Sequence, residues 1–80
     1  MMLTYEVELT LEAARSCKDK PTAKLLVTLL AMDPGDTLVV TGEDLYYPYQ
    51  KLLKLLEAQG FEILEKDYDG LTYKIKACKT

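Results

Sequence analysis

Leu3, Tyr5, Val7, Leu9 and Leu11 alternate with Thr4, Glu6, Glu8, Thr10 and Glu12. A period of two predicts a strand over 3–12 with one buried face and one wet face. A wet face implies a sheet covered on one side only. The stretch 13–20 has no clean period and reads as a loop. From Pro21 onward the period changes. Ala23, Leu26, Val27 and Leu30 recur at helical spacing, and Leu25, Leu29 and Met32 widen that stripe, which predicts a well-buried helix over 22–33. Pro21 suits a first helical turn, where a missing N–H costs nothing. Pro34-Gly35 stops the helix.

Thr37 to Thr41 is short, β-branched and apolar on both parities, which suggests a central strand. Gly42-Glu43-Asp44 reads as a turn. A second helix is predicted from Tyr46 or Tyr47 to Gln59, with Leu45, Tyr49, Leu52, Leu53 and Leu56 inward and Lys51, Lys54 and Glu57 in water. Gly60 suits its C-cap. Two strands, 61–68 and 71–78, are joined by Asp69-Gly70, a strong hairpin signal. Leu71, Tyr73, Ile75 and Ala77 should point inward, and Thr72, Lys74, Lys76 and Cys78 outward.

The predicted order is β-α-β-α-β-β. Two right-handed crossovers make the first three strands parallel, and the hairpin makes the fourth antiparallel. Inserting the fourth strand between the second and third gives spatial order 1-2-4-3. The expected fold is an α/β two-layer sandwich, with two helices on one face of a four-stranded mixed sheet, forming a single domain over 1–80.

Composition narrows the function classes. At 80 residues there is room for one modest core. Hydrophobic residues at 49% and charged residues at 29% fit a globular chain rather than a disordered one. The formal net charge of −3 argues against nucleic acid, whose binders carry a basic excess. With no histidine, no phosphate loop and no metal-spaced cluster, neither metal nor cofactor is expected. There is no basic region followed by an apolar block and no stretch long enough to span a bilayer, so the expected location is cytoplasmic, with no membrane partner.

Sites in sheets with parallel strands gather beyond the strands' carboxyl ends. That rim should carry 13–20, the first helix start, Gly42–Asp44 and the second helix start. Cys17 lies there, four residues before Pro21. A thiol near a helix N-terminus feels the positive end of the macrodipole, and Lys18, Lys20 and Lys24 add positive charge; both favour the reactive thiolate, while Asp19 works against them. The plainer reading is an ordinary loop cysteine. Cys78, on the wet face near the C-terminus, has no such activator, and a Cys17–Cys78 bridge would have to join opposite rims. Tyr46 and Tyr47 suit either a partner surface or packing against the adjacent loop. Glu43 and Asp44 form either an acid pair for catalysis, metal or partner binding, or a turn and helix cap. The wet-face stripes Glu6, Glu8, Glu12 and Lys66, Lys74, Lys76 read as solvated sheet surface or a docking face.

Taken together, these residues resemble the TusA/SirA-like sulfur carrier family. The resemblance runs from Leu9 to Lys79. It rests on Cys17 followed by Pro21, then Pro34-Gly35-Asp36-Thr37-Leu38-Val39-Val40, Glu43-Asp44, Gly60-Phe61-Glu62-Ile63-Leu64 and Asp69-Gly70-Leu71-Thr72-Tyr73-Lys74-Ile75. It implies a β-α-β-α-β-β sandwich and a persulfide held on Cys17, with Pro21 setting the helix start. Sulfur would come from a cysteine desulfurase or rhodanese and pass to an acceptor protein, so the chain would be a sulfurtransferase-type carrier rather than a stand-alone turnover enzyme. The family hallmark reads Cys-Pro-x-Pro. Here Pro21 takes the second proline's place, 13 residues before Pro34, so the hallmark cysteine falls on Lys18 and Cys17 stands one residue ahead. Two other readings stand beside the carrier: a diverged, non-catalytic interaction module on the same fold, and an RNA-binding module. The expected oligomeric state is a monomer or a weak oligomer, since the Glu stripe on strand one guards its edge.

Overall fold

The computed structural model describes residues 3–16 and 20–80. Its elements are β1 (Thr4–Leu9), α1 (Leu11–Ser16), α2 (Pro21–Ala31), β2 (Thr37–Glu43), α3 (Tyr49–Ala58), β3 (Phe61–Tyr68) and β4 (Thr72–Lys79). The four strands form one sheet in the order β1-β2-β4-β3. β1 pairs parallel with β2, and β4 pairs antiparallel with both β2 and β3, which is the arrangement expected from the chain order. On one face α2 packs against β1 and α3 against β3. Leu9, Leu25, Leu38, Leu52, Leu56 and Ile75 are fully buried between the layers.

Strand β1 stops earlier than its alternation suggests. The Thr10 Oγ1 accepts the Ala13 N–H at 3.0 Å and opens α1, so Leu11 lies on a helix, 44% exposed, instead of continuing the strand. A capping side chain offers the backbone an alternative to the ladder, and here it outweighs the period of two. The expected loop over 13–20 is therefore helical as far as Ser16.

Helix α2 presents the other face. Pro21, Leu25, Leu29 and Met32 are buried, whereas Leu26, Val27 and Leu30 are 51%, 67% and 80% exposed. The helix carries apolar residues on both faces, so its spacing does not say which one meets the sheet. At its C-terminal end the Lys79 ammonium donates to the carbonyls of Leu29 (3.2 Å) and Met32 (2.8 Å). A cation there suits the negative helix end. Beside it, buried Asp36 accepts the backbone N–H of Leu3 (3.1 Å) and of Asp33 (2.9 Å). These two bonds, Asp33's first and Leu3's second, hold its carboxyl below the usual 3.8; burial opposes them and the Lys79 charge assists.

Helix α3 begins at Tyr49, not at Tyr46 or Tyr47, because Pro48 is its N-cap and the residue before a proline avoids helical geometry. Leu45 therefore sits in the preceding turn, 85% exposed. Strand β3 carries a bulge: Ile63 pairs with Ala77, then Glu65 with Lys76, leaving Leu64 unpaired. The hairpin forms where Asp69-Gly70 signals it. Asp69 Oδ1 accepts the N–H groups of Leu71 and Thr72, both at 2.8 Å, and Gly70 takes φ 99°. Leu71, expected inward, precedes β4 and is exposed.

Candidate functional site

The parallel strands β1 and β2 end at one rim, where α1, the start of α2 and the turn into α3 converge. Cys17 and Lys18 lie outside the described residues. On their C-terminal side, Lys20 is the N-cap of α2 with extended backbone, Pro21 is buried in the first turn, and Lys24 is exposed. Among the described residues no side chain caps this helix start, and no acidic residue stands in its first turn. Its partial positive charge is thus accompanied by two described lysines, Lys20 and Lys24.

Glu43 and Asp44 hold helices together. Glu43 Oε1 accepts the Leu11 N–H at 2.9 Å, bringing α1 to the end of β2. Asp44 Oδ1 accepts the Tyr49 N–H at 2.9 Å and fixes the start of α3. The turn closes as Tyr46 and Tyr47 donate their N–H groups to the Glu43 carbonyl at 3.0 and 2.9 Å. This is the turn-and-cap arrangement, with each carboxylate occupied by a backbone donor.

Tyr46 and Tyr47 are half-buried against the core. The Tyr73 hydroxyl donates to the Tyr47 carbonyl at 2.8 Å, and the Lys51 ammonium lies 5.3 Å from the Tyr47 ring centroid. Burial raises the Tyr47 phenol above its usual value, and burial, followed by the neighbouring Tyr47 and Asp44, raises Tyr73 further. Tyr49 stacks on Tyr68 with centroids 4.4 Å apart and tilts against Tyr73 at 5.6 Å. This cluster is a packing unit.

The open face of the sheet is banded by charge. Register places Glu6, Val39, Lys76 and Glu65 in one row and Glu8, Thr41, Lys74 and Asp67 in the next. Two lysines on β4 thus lie between acidic pairs on the two edge strands. The Leu64 bulge shifts β3 so that Glu65 and Asp67 oppose Lys76 and Lys74, whereas Lys66, expected beside them, comes into register with Ile75. Cys78, half-buried, lies in the row of Thr4, Thr37 and Glu62. Among the described residues no group of three or more His, Cys, Asp or Glu is placed to hold a metal ion, and no helix is long and apolar enough to cross a membrane.

The apolar outer face of α2 is the surface feature that the sequence reading missed. Its signal was present in the width of the α2 stripe, too broad for one buried face. No family model matches this chain, and neither a curated protein nor a solved structure matches it.

Proposed function

We propose that this chain is a small cytoplasmic sulfur carrier that holds a persulfide on Cys17. The observation that carries the reading is the start of α2. The segment containing Cys17 leads into a helix end that, among the described residues, has no side-chain cap, no acidic residue in its first turn, and exposed Lys20 and Lys24 beside it. Such an end stabilises an anion, and a Cys17 thiolate or persulfide is one that this segment brings toward it, with Asp19 opposing. A two-layer sandwich, with the helices α2 and α3 covering a four-stranded sheet, is also what the family resemblance implies.

In the proposed step the Cys17 thiolate attacks the outer sulfur of a donor protein's persulfide. The donor S–S bond breaks, a new S–S bond forms on Cys17, and the donor leaves as a thiolate, with no net oxidation or reduction. An acceptor thiolate then repeats the exchange. Donor and acceptor are proteins, a desulfurase or rhodanese on one side and a thiolation or cofactor-building enzyme on the other.

The test is intact-mass spectrometry after incubation with a cysteine desulfurase and cysteine, with Cys17→Ser and Cys78→Ser variants alongside. The expected result is a reducible gain of one sulfur that disappears in Cys17→Ser and persists in Cys78→Ser. Absence of the gain across several desulfurases, with the fold intact, refutes the carrier role. It would favour the second reading, a non-catalytic interaction module, which the exposed Leu26, Val27 and Leu30 support.

A further inference from the structure

Helix α1 is seated differently from α2 and α3. Helix α2 buries Pro21, Leu25 and Leu29, and α3 buries Tyr49, Leu52 and Leu56. From Leu11 to Arg15, by contrast, α1 buries no side chain: Leu11, Glu12 and Arg15 are exposed, and Ala13 and Ala14 are half-buried. Apolar burial, which seats the other two helices, contributes little to seating this one.

Two polar contacts hold the start of α1. Leu9 pairs with Gly42 at the end of the β1–β2 ladder, so Thr10 and Glu43 leave the sheet side by side. The Thr10 Oγ1 accepts the Ala13 N–H within the same turn. The Leu11 N–H is another donor that a helix start leaves without an intrahelical partner. It goes to Glu43 Oε1 at 2.9 Å, across 32 residues of sequence. The first bond shapes the turn, and the second ties that turn to β2.

Ser16 ends α1, and Cys17 follows it directly in the chain. A helix of this length spans about 9 Å, so a tilt of about 10° at its start moves its far end by about 1.5 Å. Misplacing a reacting group by such a distance slows a reaction steeply.

We propose that Glu43 is a positioning residue for the Cys17 thiol, acting by clamping the start of the helix that leads into it; this rests on the carrier reading. Glu43 acts through the Leu11 N–H. The role needs an acceptor oxygen at this reach rather than a negative charge, so glutamine should serve and alanine should not.

The test compares Glu43→Ala and Glu43→Gln with the parent chain, all three carrying Cys78→Ser. Hydrogen exchange over 11–16 reads the clamp. Single-turnover sulfur transfer from a cysteine desulfurase supplied with cysteine reads the placement of the thiol, and alkylation by iodoacetamide reads its reactivity. In Glu43→Ala, exchange over 11–16 should quicken about two- to thirtyfold, the range of a lost helix cap. Transfer should slow by about threefold or more, because a protein donor needs the thiol in place. Alkylation should stay nearly unchanged, because a small reagent reaches the thiol in any orientation. Glu43→Gln should match the parent in all three measurements. Unchanged transfer in Glu43→Ala, with a parent that loads sulfur, overturns the positioning role and leaves the carrier reading standing. An equal loss in Glu43→Gln overturns it too, because charge rather than the hydrogen bond would then be at work. So does a matching loss of alkylation, which would assign the effect to thiol reactivity, or faster exchange throughout the sheet, which would assign it to global stability. A parent chain that accepts no sulfur refutes the carrier reading itself, and the positioning role falls with it.

Discussion

Tyr73 occupies the space that a side chain at position 42 would need. The two residues are opposite each other across β2 and β4, and a Cβ on Gly42 would come within 2.5 Å of the Tyr73 ring carbon Cζ and its hydroxyl oxygen. The missing side chain lets the phenol lie flat across the strand and reach the Tyr47 carbonyl. Glycine in a strand interior often marks such a close approach. Here it ties β2, β4 and the turn before α3 into one unit.

Gly42→Ala should therefore destabilise the fold by about 1–3 kcal/mol, the usual cost of forcing extra volume into a packed site. Tyr73→Phe should cost about 0.5–1.5 kcal/mol through the lost hydrogen bond. The two effects should not add. Once the added methyl group has displaced the ring, the hydroxyl has already lost its partner, so Tyr73→Phe should cost less in the Gly42→Ala background. Urea unfolding of the four proteins measures the coupling.

The anion-favouring start of α2 predicts the reactivity of the thiol upstream of it. In a Cys78→Ser background, Lys20→Glu or Lys24→Glu should slow alkylation of Cys17 by iodoacetamide near neutral pH. The expected slowing is about two- to fivefold per substitution, which corresponds to a local electrostatic contribution of about 0.3–1 kcal/mol. The rate is followed by mass spectrometry on dilute protein. Equal rates in all three proteins would remove the helix end and its lysines from any role in thiolate chemistry.

Asp36 makes stability depend on acidity. Its carboxyl is held below the usual 3.8 by the N–H groups of Asp33 and Leu3. A depressed value in the folded state means that the unfolded chain takes up the proton first as pH falls. The contribution is therefore complete above the unfolded-state value, and it is lost as pH drops below 3.8 through the folded-state value. Asp36→Asn puts an amide NH₂ where one of the two carboxylate oxygens accepts a bond. Thermal melts should show this variant less stable than wild type at neutral pH, with the gap constant down to about pH 5 and closing below about pH 4. A gap that stays constant into acid would exclude this linkage.

The sequence and the structure agree where a local signal decides the outcome alone. Asp69-Gly70 made the hairpin legible, and the two crossovers with that hairpin made the strand order legible. The differences arise where two signals compete. Thr10 continues the alternation of the first strand and is also a good N-cap, and the cap wins. Parity along β3 predicts Lys66 beside Lys74 and Lys76, but the unpaired Leu64 moves Glu65 and Asp67 there instead. No residue type announces that bulge. At the site, Glu43 and Asp44 were legible as possible caps. Which backbone donors they serve depends on how the ends of β1, β2 and the turn into α3 meet, which spacing does not encode.

Helix α2 gives the sharpest contrast between spacing and packing, because adjacent leucines on it have opposite fates. Leu29 is 3% exposed and lies against the sheet, whereas Leu30 is 80% exposed. Helical spacing alone groups Leu30 with Ala23, Leu26 and Val27 as the inward set, and that orientation would make Leu30 the residue the fold needs. Packing reverses the expectation. Leu29→Ala should cost about 2–5 kcal/mol, from lost transfer energy together with the cavity left between helix and sheet. Leu30→Ala should change monomer stability by less than about 0.5 kcal/mol, as surface substitutions do. Denaturant melts on dilute protein separate the two. Equal losses would mean that both faces of α2 are buried within one chain, and a larger loss at Leu30 would mean that the helix is rotated by half a turn from the orientation described.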